Sequence, residues 1–528
     1  MISDQPHRLV ETLEGRSKDL EIEFHRAYWE SQVEATPESE RRRAELELEL
    51  RRIKGDPDAL AAVEGALQDD IHEPVLKRQL EVLRLSLLGN QMQEPQRELL
   101  VELSSAVESD FASFRPELDG RTVSDNEIDE ILRSSNDSDL RRSAWEASKE
   151  VGALVADRVR ELARVRNEMA RDLGYADYYR MSLDLQEMSE EWLFDVMERL
   201  EQLTEEPFRA WKGALDGRLR ERFSTQQLYP WHYADPFFQQ TPPDGRVSLD
   251  DVLQNLSALE LCDKTFGSWG IDLGSVLDAS DLYPRDRKCQ HAFCLNVDRD
   301  GDVRILANVV PGERWVEVML HESGHAAYDI TIDPKLPYLL RRPAHIFVTE
   351  AIAILSGRLA RDPEWLTKVA GLASSEIGAI EDDIRRTKAA HSLLFARWVL
   401  VMVHFERDLY ADPEGDLDAR WWELVERMQL VTAPPDRSSP DWAAKIHTAV
   451  APVYYHNYLL GEMLASQLEA TCSRECGGLV GMKEAGIFLS QRVFAPGNLM
   501  TWSVLIEEAT GSSLSPDDFV SGLITNAS

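Results

Sequence analysis

Two histidines one helical turn apart with a glutamate between them can hold a divalent cation and place a base beside it. The stretch EVMLHESGHAAYD, Glu317 to Asp329, has this arrangement in His321, Glu322 and His325. Residues i and i+4 share a helix face, so both imidazoles reach one ion while Glu322 projects toward a bound water. The plain alternative is a helix with two structurally satisfied histidines, and a third ligand separates the readings. A hydrolytic zinc needs three protein ligands and one open position for water. Glu350, 25 residues after His325, sits in the apolar run FVTEAIAIL. A carboxylate without a partner is costly to bury there, and a cation offsets that cost. Pairing with Arg341, Arg342 or Arg358 would offset it too. His321, His325 and Glu350 are the candidate metal ligands, Zn²⁺ the candidate ion, and Glu322 the candidate general base.

The elements that must position these groups read mostly as amphipathic helix. At 528 residues and 43% hydrophobic content the chain can bury a sizeable core. Near the N-terminus, TPESERRRAELELELRRIKG opens with Thr36 as N-cap and Pro37 at the first helical position, and Gly55 follows its end. Two stretches break the helical pattern. Tyr229 to Arg246, rich in proline and aromatics, is a candidate connection between halves of the molecule. QHAFCLNVDRDGDVRILANVV reads as a β-hairpin turning at Asp298 to Asp302. The three aspartates there suggest a calcium loop, but its closing position falls on Val309, so a polar turn is the reading.

The formal charge of −36, from 58 basic and 94 acidic residues, argues against nucleic acid or an anionic membrane surface as the main partner. The N-terminal residues lack a secretory pattern, and no apolar run approaches spanning length, so a cytoplasmic location is expected. Five scattered cysteines do not form a disulfide framework. Cys472 and Cys476 lack the second pair that a structural zinc site needs.

HESGHAAYD followed by TEAIA resembles the angiotensin-converting-enzyme family of gluzincin peptidases. On either side, QHAFCLNVDRDGDVRI is similar to that family's hairpin, RWWELVERMQLVTAPP to its Trp-Trp helix, and KIHTAVAPVYYHNYLLGEMLASQLEA to its Lys-x-His and tyrosine segment. The similarity is clear over residues 285 to 475 and faint before that. YYHNYL also resembles thimet oligopeptidase and oligopeptidase F. The resemblance implies a mainly α, two-lobed helical fold with a deep substrate channel and a small β element beside the active site. It implies one helical peptidase unit over residues 1–528, with an N-terminal lid and lobe (1–230), a connecting segment (231–284), a catalytic core (285–475) and C-terminal helices (476–528).

By the same resemblance, Tyr458 stabilises charge on the scissile carbonyl and His447 contacts the substrate nearby, with Tyr454 and Tyr455 competing for these roles. Lys445 would bind a free C-terminal carboxylate, Tyr455 and Tyr454 would contribute to binding, and His291 with the Ala292 backbone would hold the peptide extended. The expected activity is release of dipeptides from the C-terminus of short peptides. Internal cleavage of oligopeptides, a catalytically silent binding protein and a specialised peptide-processing metalloenzyme are the alternatives. Three positions depart from the family pattern. Ile354 stands where an aspartate often orients a zinc histidine, and Asn457 and Val425 stand where arginines are expected, which argues against the usual chloride activation.

Overall fold

The computed structural model describes residues 5–242, 249–435 and 437–527. α-Helices account for most of them, and the β-structure among the described residues is two antiparallel two-stranded sheets. The mainly α expectation therefore holds. Two compact units form, one from Met1–Gln91, Val247–Glu381 and Leu460–Phe519, the other from Met92–Arg246, Asp382–Leu459 and Val520–Ser528.

In the first unit the N-terminal helices form where their end signals put them. Helix Pro37–Lys54 is capped by Thr36, whose hydroxyl accepts from the Ser39 N–H, and the Gly55 N–H closes the other end on the Arg51 carbonyl. The preceding helix, Gln5–Val33, carries a buried carboxylate, Glu21. It accepts from Lys54 Nζ at 2.6 Å, Arg299 Nη2 at 3.1 Å and Tyr338 OH at 3.2 Å. One side chain thus ties two helices to the hairpin turn that holds Arg299.

That hairpin pairs Phe293–Asn296 with Val303–Leu306, Cys294 lying opposite Ile305. Its turn is built by Asp298, whose Oδ1 accepts from the N–H groups of Asp300 at 2.8 Å and Asp302 at 3.0 Å. Asp302 in turn holds Arg304. These aspartates serve the turn, as the polar-turn reading expects, and Arg299 takes a left-handed φ of 57° within it.

The pairing of Glu21 sets a pH dependence. Burial alone would raise its pKa, but Arg299 and Lys54 outweigh burial and bring it to about 2. A carboxyl depressed in the folded state stabilises fully above its unfolded value and loses that contribution as pH falls toward the folded one. The shift corresponds to at most about 3 kcal/mol at neutral pH. Glu21→Gln should therefore lower the melting temperature at pH 7, and the gap to wild type should narrow as pH falls from 5 to 3. Thermal melts at these pH values test it, and a gap independent of pH would refute it.

Two helices of the first unit matter most. Glu313–Thr331 carries His321, Glu322 and His325, and Ile346–Gly357 carries Glu350. They cross closely because the residues at the crossing are small. A Cβ on Gly324 would lie 2.9 Å from both Ala353 Cα and the Ile352 carbonyl oxygen, and one on Gly357 would lie 3.4 Å from His321 Cβ.

The second unit packs around aromatic side chains. Trp145 meets Trp231 and Trp422, and Trp421 packs edge-on against Trp398 and Phe405. The proline- and aromatic-rich stretch after Tyr229 is part of this core through its described residues. Trp231, Tyr233 and Phe238 are buried, and the buried Arg141 guanidinium donates to the carbonyls of Trp231 and Tyr233. Its last residues, 243–246, lie outside the described residues.

Candidate metal centre

The crossing of the two helices brings His321, His325 and Glu350 together, with one ligand atom from each inside 4.8 Å of the others. Glu350 Oε2 lies 3.5 Å from His321 Nε2 and 3.9 Å from His325 Nε2. Tetrahedral zinc with ligands at roughly 2.0–2.2 Å separates its donors by about 3.3 Å, so the cluster fits such an ion with small adjustment. The imidazole rings stand nearly perpendicular, at 82°. The arginine alternative for Glu350 loses two of its members, since Arg358 pairs with Glu462 and Arg341 with Asp300.

Desolvation shapes the protonation of the group. Burial lowers the imidazole pKa of His321 to about 4 and that of His325 to about 3, leaving both neutral with lone pairs for a cation. Burial raises Glu350 to about 7, with Glu462 adding to the effect. It raises Glu322 to about 8, helped by the nearby Glu350 charge and opposed by a bond from the Cys294 N–H. One divalent cation stabilises the neutral imidazoles and the ionised carboxylates together.

Sequence reasoning missed two contacts around these residues. The Cys294 amide on the hairpin reaches the Glu322 carboxylate. Thr349 Oγ1 lies 2.8 Å from His325 Nδ1. Both join residues on separate elements, and only the place of Thr349 next to Glu350 offered a hint. Ile354 is apolar packing, its Cδ1 lying 3.2 Å from where a Cβ on Gly461 would be. His345 caps the Glu350 helix, its Nδ1 accepting from the Phe347 N–H. On the hairpin, His291 is exposed and Ala292 half-buried.

The remaining candidates lie in the second unit. Lys445 is half-buried, with Nζ 3.0 Å from Gln239 Oε1 and within 6.0 Å of the ring centres of Phe237, Trp398 and Tyr455. Burial lowers its pKa to about 8 against the pull of Asp235. His447 packs edge-on against Tyr455, and burial followed by the Lys445 charge lowers it to about 4, so it is neutral at pH 7. Tyr455 is 5% exposed, and its hydroxyl accepts from Trp398 Nε1 at 3.1 Å. Tyr458, half-buried, stacks edge-on with both Tyr454 and Tyr455. His456 and Asn457 are buried, both bonded to Gln186, and Val425 is core.

The HExxH helix, the carboxylate on the crossing helix and the mainly helical fold define a zinc metallopeptidase, a hydrolase. The profile of Peptidase family M3 matches residues 131–524, and the chain belongs to that family. A second profile, described as Angiotensin-converting enzyme, matches residues 3–210. The segment with every candidate site residue thus falls within the M3 match, and the angiotensin-converting-enzyme match lies within the N-terminal part where motif resemblance is faint. No curated protein among those compared matches the chain. No helix among the described residues is long and apolar enough to cross a membrane.

Proposed function

We propose that the protein hydrolyses short peptides with Zn²⁺ held by His321, His325 and Glu350, releasing dipeptides from a free C-terminus. The observation that carries the C-terminal specificity is Lys445, an ammonium half-buried among Phe237, Trp398 and Tyr455. A desolvated ammonium gains most from an anionic partner, and a peptide's terminal carboxylate supplies one.

Bound zinc supplies a Lewis acid and a water of lowered pKa. Glu322 takes the proton of the attacking water and returns it to the leaving amine, held in place by the Cys294 N–H. Tyr458 donates to the carbonyl oxygen as negative charge develops on it. His447, neutral, contributes a hydrogen bond near the scissile bond. Tyr455, whose hydroxyl is engaged by Trp398, contributes chiefly shape to binding, and Tyr454 borders the same cluster. His291 and the Ala292 backbone hold the peptide extended by strand addition. The five unpaired cysteines fit a cytoplasmic enzyme whose partners are short peptides.

A second reading is internal cleavage of oligopeptides, of the thimet or oligopeptidase F type, and the M3 match over residues 131–524 favours it. Amidating the C-terminus of a short chromogenic peptide separates the two. The dipeptidyl carboxypeptidase loses cleavage of the amide, and Lys445→Met raises KM for the free acid about 10- to 100-fold with little change in kcat. Equal cleavage of acid and amide assigns the enzyme to the oligopeptidases.

A further inference from the structure

We infer that Thr349 orients His325 toward the cation through a neutral hydroxyl, in a position that carboxylates commonly fill in zinc sites. The inference rests on the zinc reading above. An imidazole that binds a cation through Nε2 carries its proton on Nδ1, and that proton needs an acceptor to fix the ring plane. His325 Nε2 is the atom that faces Glu350, at 3.9 Å, so Nδ1 is the atom left to orient the ring. Thr349 Oγ1 lies 2.8 Å from it.

The acceptor is held firmly. Thr349 is 8% exposed, at the end of the first turn of helix Ile346–Gly357, its N–H bonded to the His345 carbonyl, and immediately before Glu350. A single stretch of backbone therefore sets both the ligand carboxylate and the group that aims the neighbouring histidine. The β-branched side chain has few rotamers in a helix, so little freedom is lost in forming the bond. Further along the same helix, Ile354 packs against Gly461 and offers no acceptor.

The choice of a hydroxyl has a chemical consequence. A carboxylate would share the Nδ1 proton and make the ring a stronger donor, whereas threonine leaves the ring less basic. It also adds no further negative charge to the Glu322, Glu350 and Glu462 carboxylates already near the ligands. Thr349 is thus a positioning residue that trades some metal affinity for a more electron-poor ion.

The test is competition for zinc against a chelator of known affinity, on wild type and on Thr349→Val and Thr349→Ser. Wild type should hold near one zinc per chain. The valine variant, equal in shape but without an acceptor, should bind zinc roughly 10- to 100-fold more weakly. Serine should restore wild-type affinity. In the cobalt(II)-substituted proteins the visible absorption bands should move in the valine variant and not in the serine variant. Circular dichroism melts identify a variant that does not fold, in which case Thr349→Ala replaces valine in the same comparison. A wild type that holds zinc and a valine variant that holds it equally would overturn the role of Thr349 alone. A wild type that holds none overturns the zinc reading itself.

Discussion

Glu322→Gln should leave zinc bound and all but stop peptide hydrolysis, with kcat falling roughly 10²- to 10⁴-fold. Glutamine keeps the volume and can still meet the Cys294 amide, so the crossing of the two helices is undisturbed. It cannot accept a proton at neutral pH, and proton transfer is the task the geometry gives this side chain. Glu322 is 7% exposed and lies beside Glu350, while the ligand atoms themselves belong to His321, His325 and Glu350. Loss of rate with metal content unchanged is therefore the signature of a base, whereas loss of both would mean that Glu322 holds the ion or the fold. KM should change little, because the substitution removes an event of the transition state and not a binding contact. Metal analysis beside steady-state kinetics decides it, and a variant with a tenth or more of wild-type kcat would remove Glu322 from the chemistry.

How far the site was legible in sequence follows from the range of each interaction. His321 and His325 belong to one helix, and their spacing announces a shared face before any fold is known. Glu350 was legible by contradiction, a carboxylate inside an apolar run that needs a partner. The cap of helix Pro37–Lys54 was equally local, since Thr36, Pro37 and Gly55 act within a few residues of its ends.

What sequence could not show is which distant element completes each local one. Cys294 meets Glu322 and Thr349 meets His325 only because a hairpin and a second helix pack there. The family resemblance makes Tyr455 a substrate-binding residue, and only the fold shows its hydroxyl engaged by Trp398, 57 residues away. Nothing in the residues next to Lys445 announces its surroundings, and only the fold sets it among aromatic rings. The stretch after Tyr229 reads as a connection because proline breaks periodicity. Its apolar side chains also fill the core of the second unit, which periodicity cannot reveal.

Gly324→Ala should disarm the enzyme without touching a ligand. The added methyl would lie 2.9 Å from the Cα of Ala353 and from the carbonyl oxygen of Ile352, both backbone atoms that no rotamer change can move aside. Helices Glu313–Thr331 and Ile346–Gly357 must then separate. Alanine's better helix propensity returns up to about 1 kcal/mol, and overpacking of this kind costs about 1–3 kcal/mol, so a net destabilisation is expected. The larger effect falls on the metal. Glu350 lies one turn before Ala353 on the moving helix and His321 one turn before Gly324 on the other, so the 3.5 Å between their ligand atoms widens with the crossing. Metal geometry tolerates about 0.2 Å, and a shift of half an ångström already exceeds it. Zinc retained after gel filtration should drop well below one per chain while the variant stays folded. Gly378→Ala is the control, since an added Cβ there meets nothing within 4 Å on an exposed stretch of helix Ser374–Ala411. It should be neutral or stabilise by up to about 1 kcal/mol and leave zinc and rate unchanged. If Gly324→Ala keeps both its zinc and its melting temperature, the close crossing of the two helices does not set the spacing of the ligands.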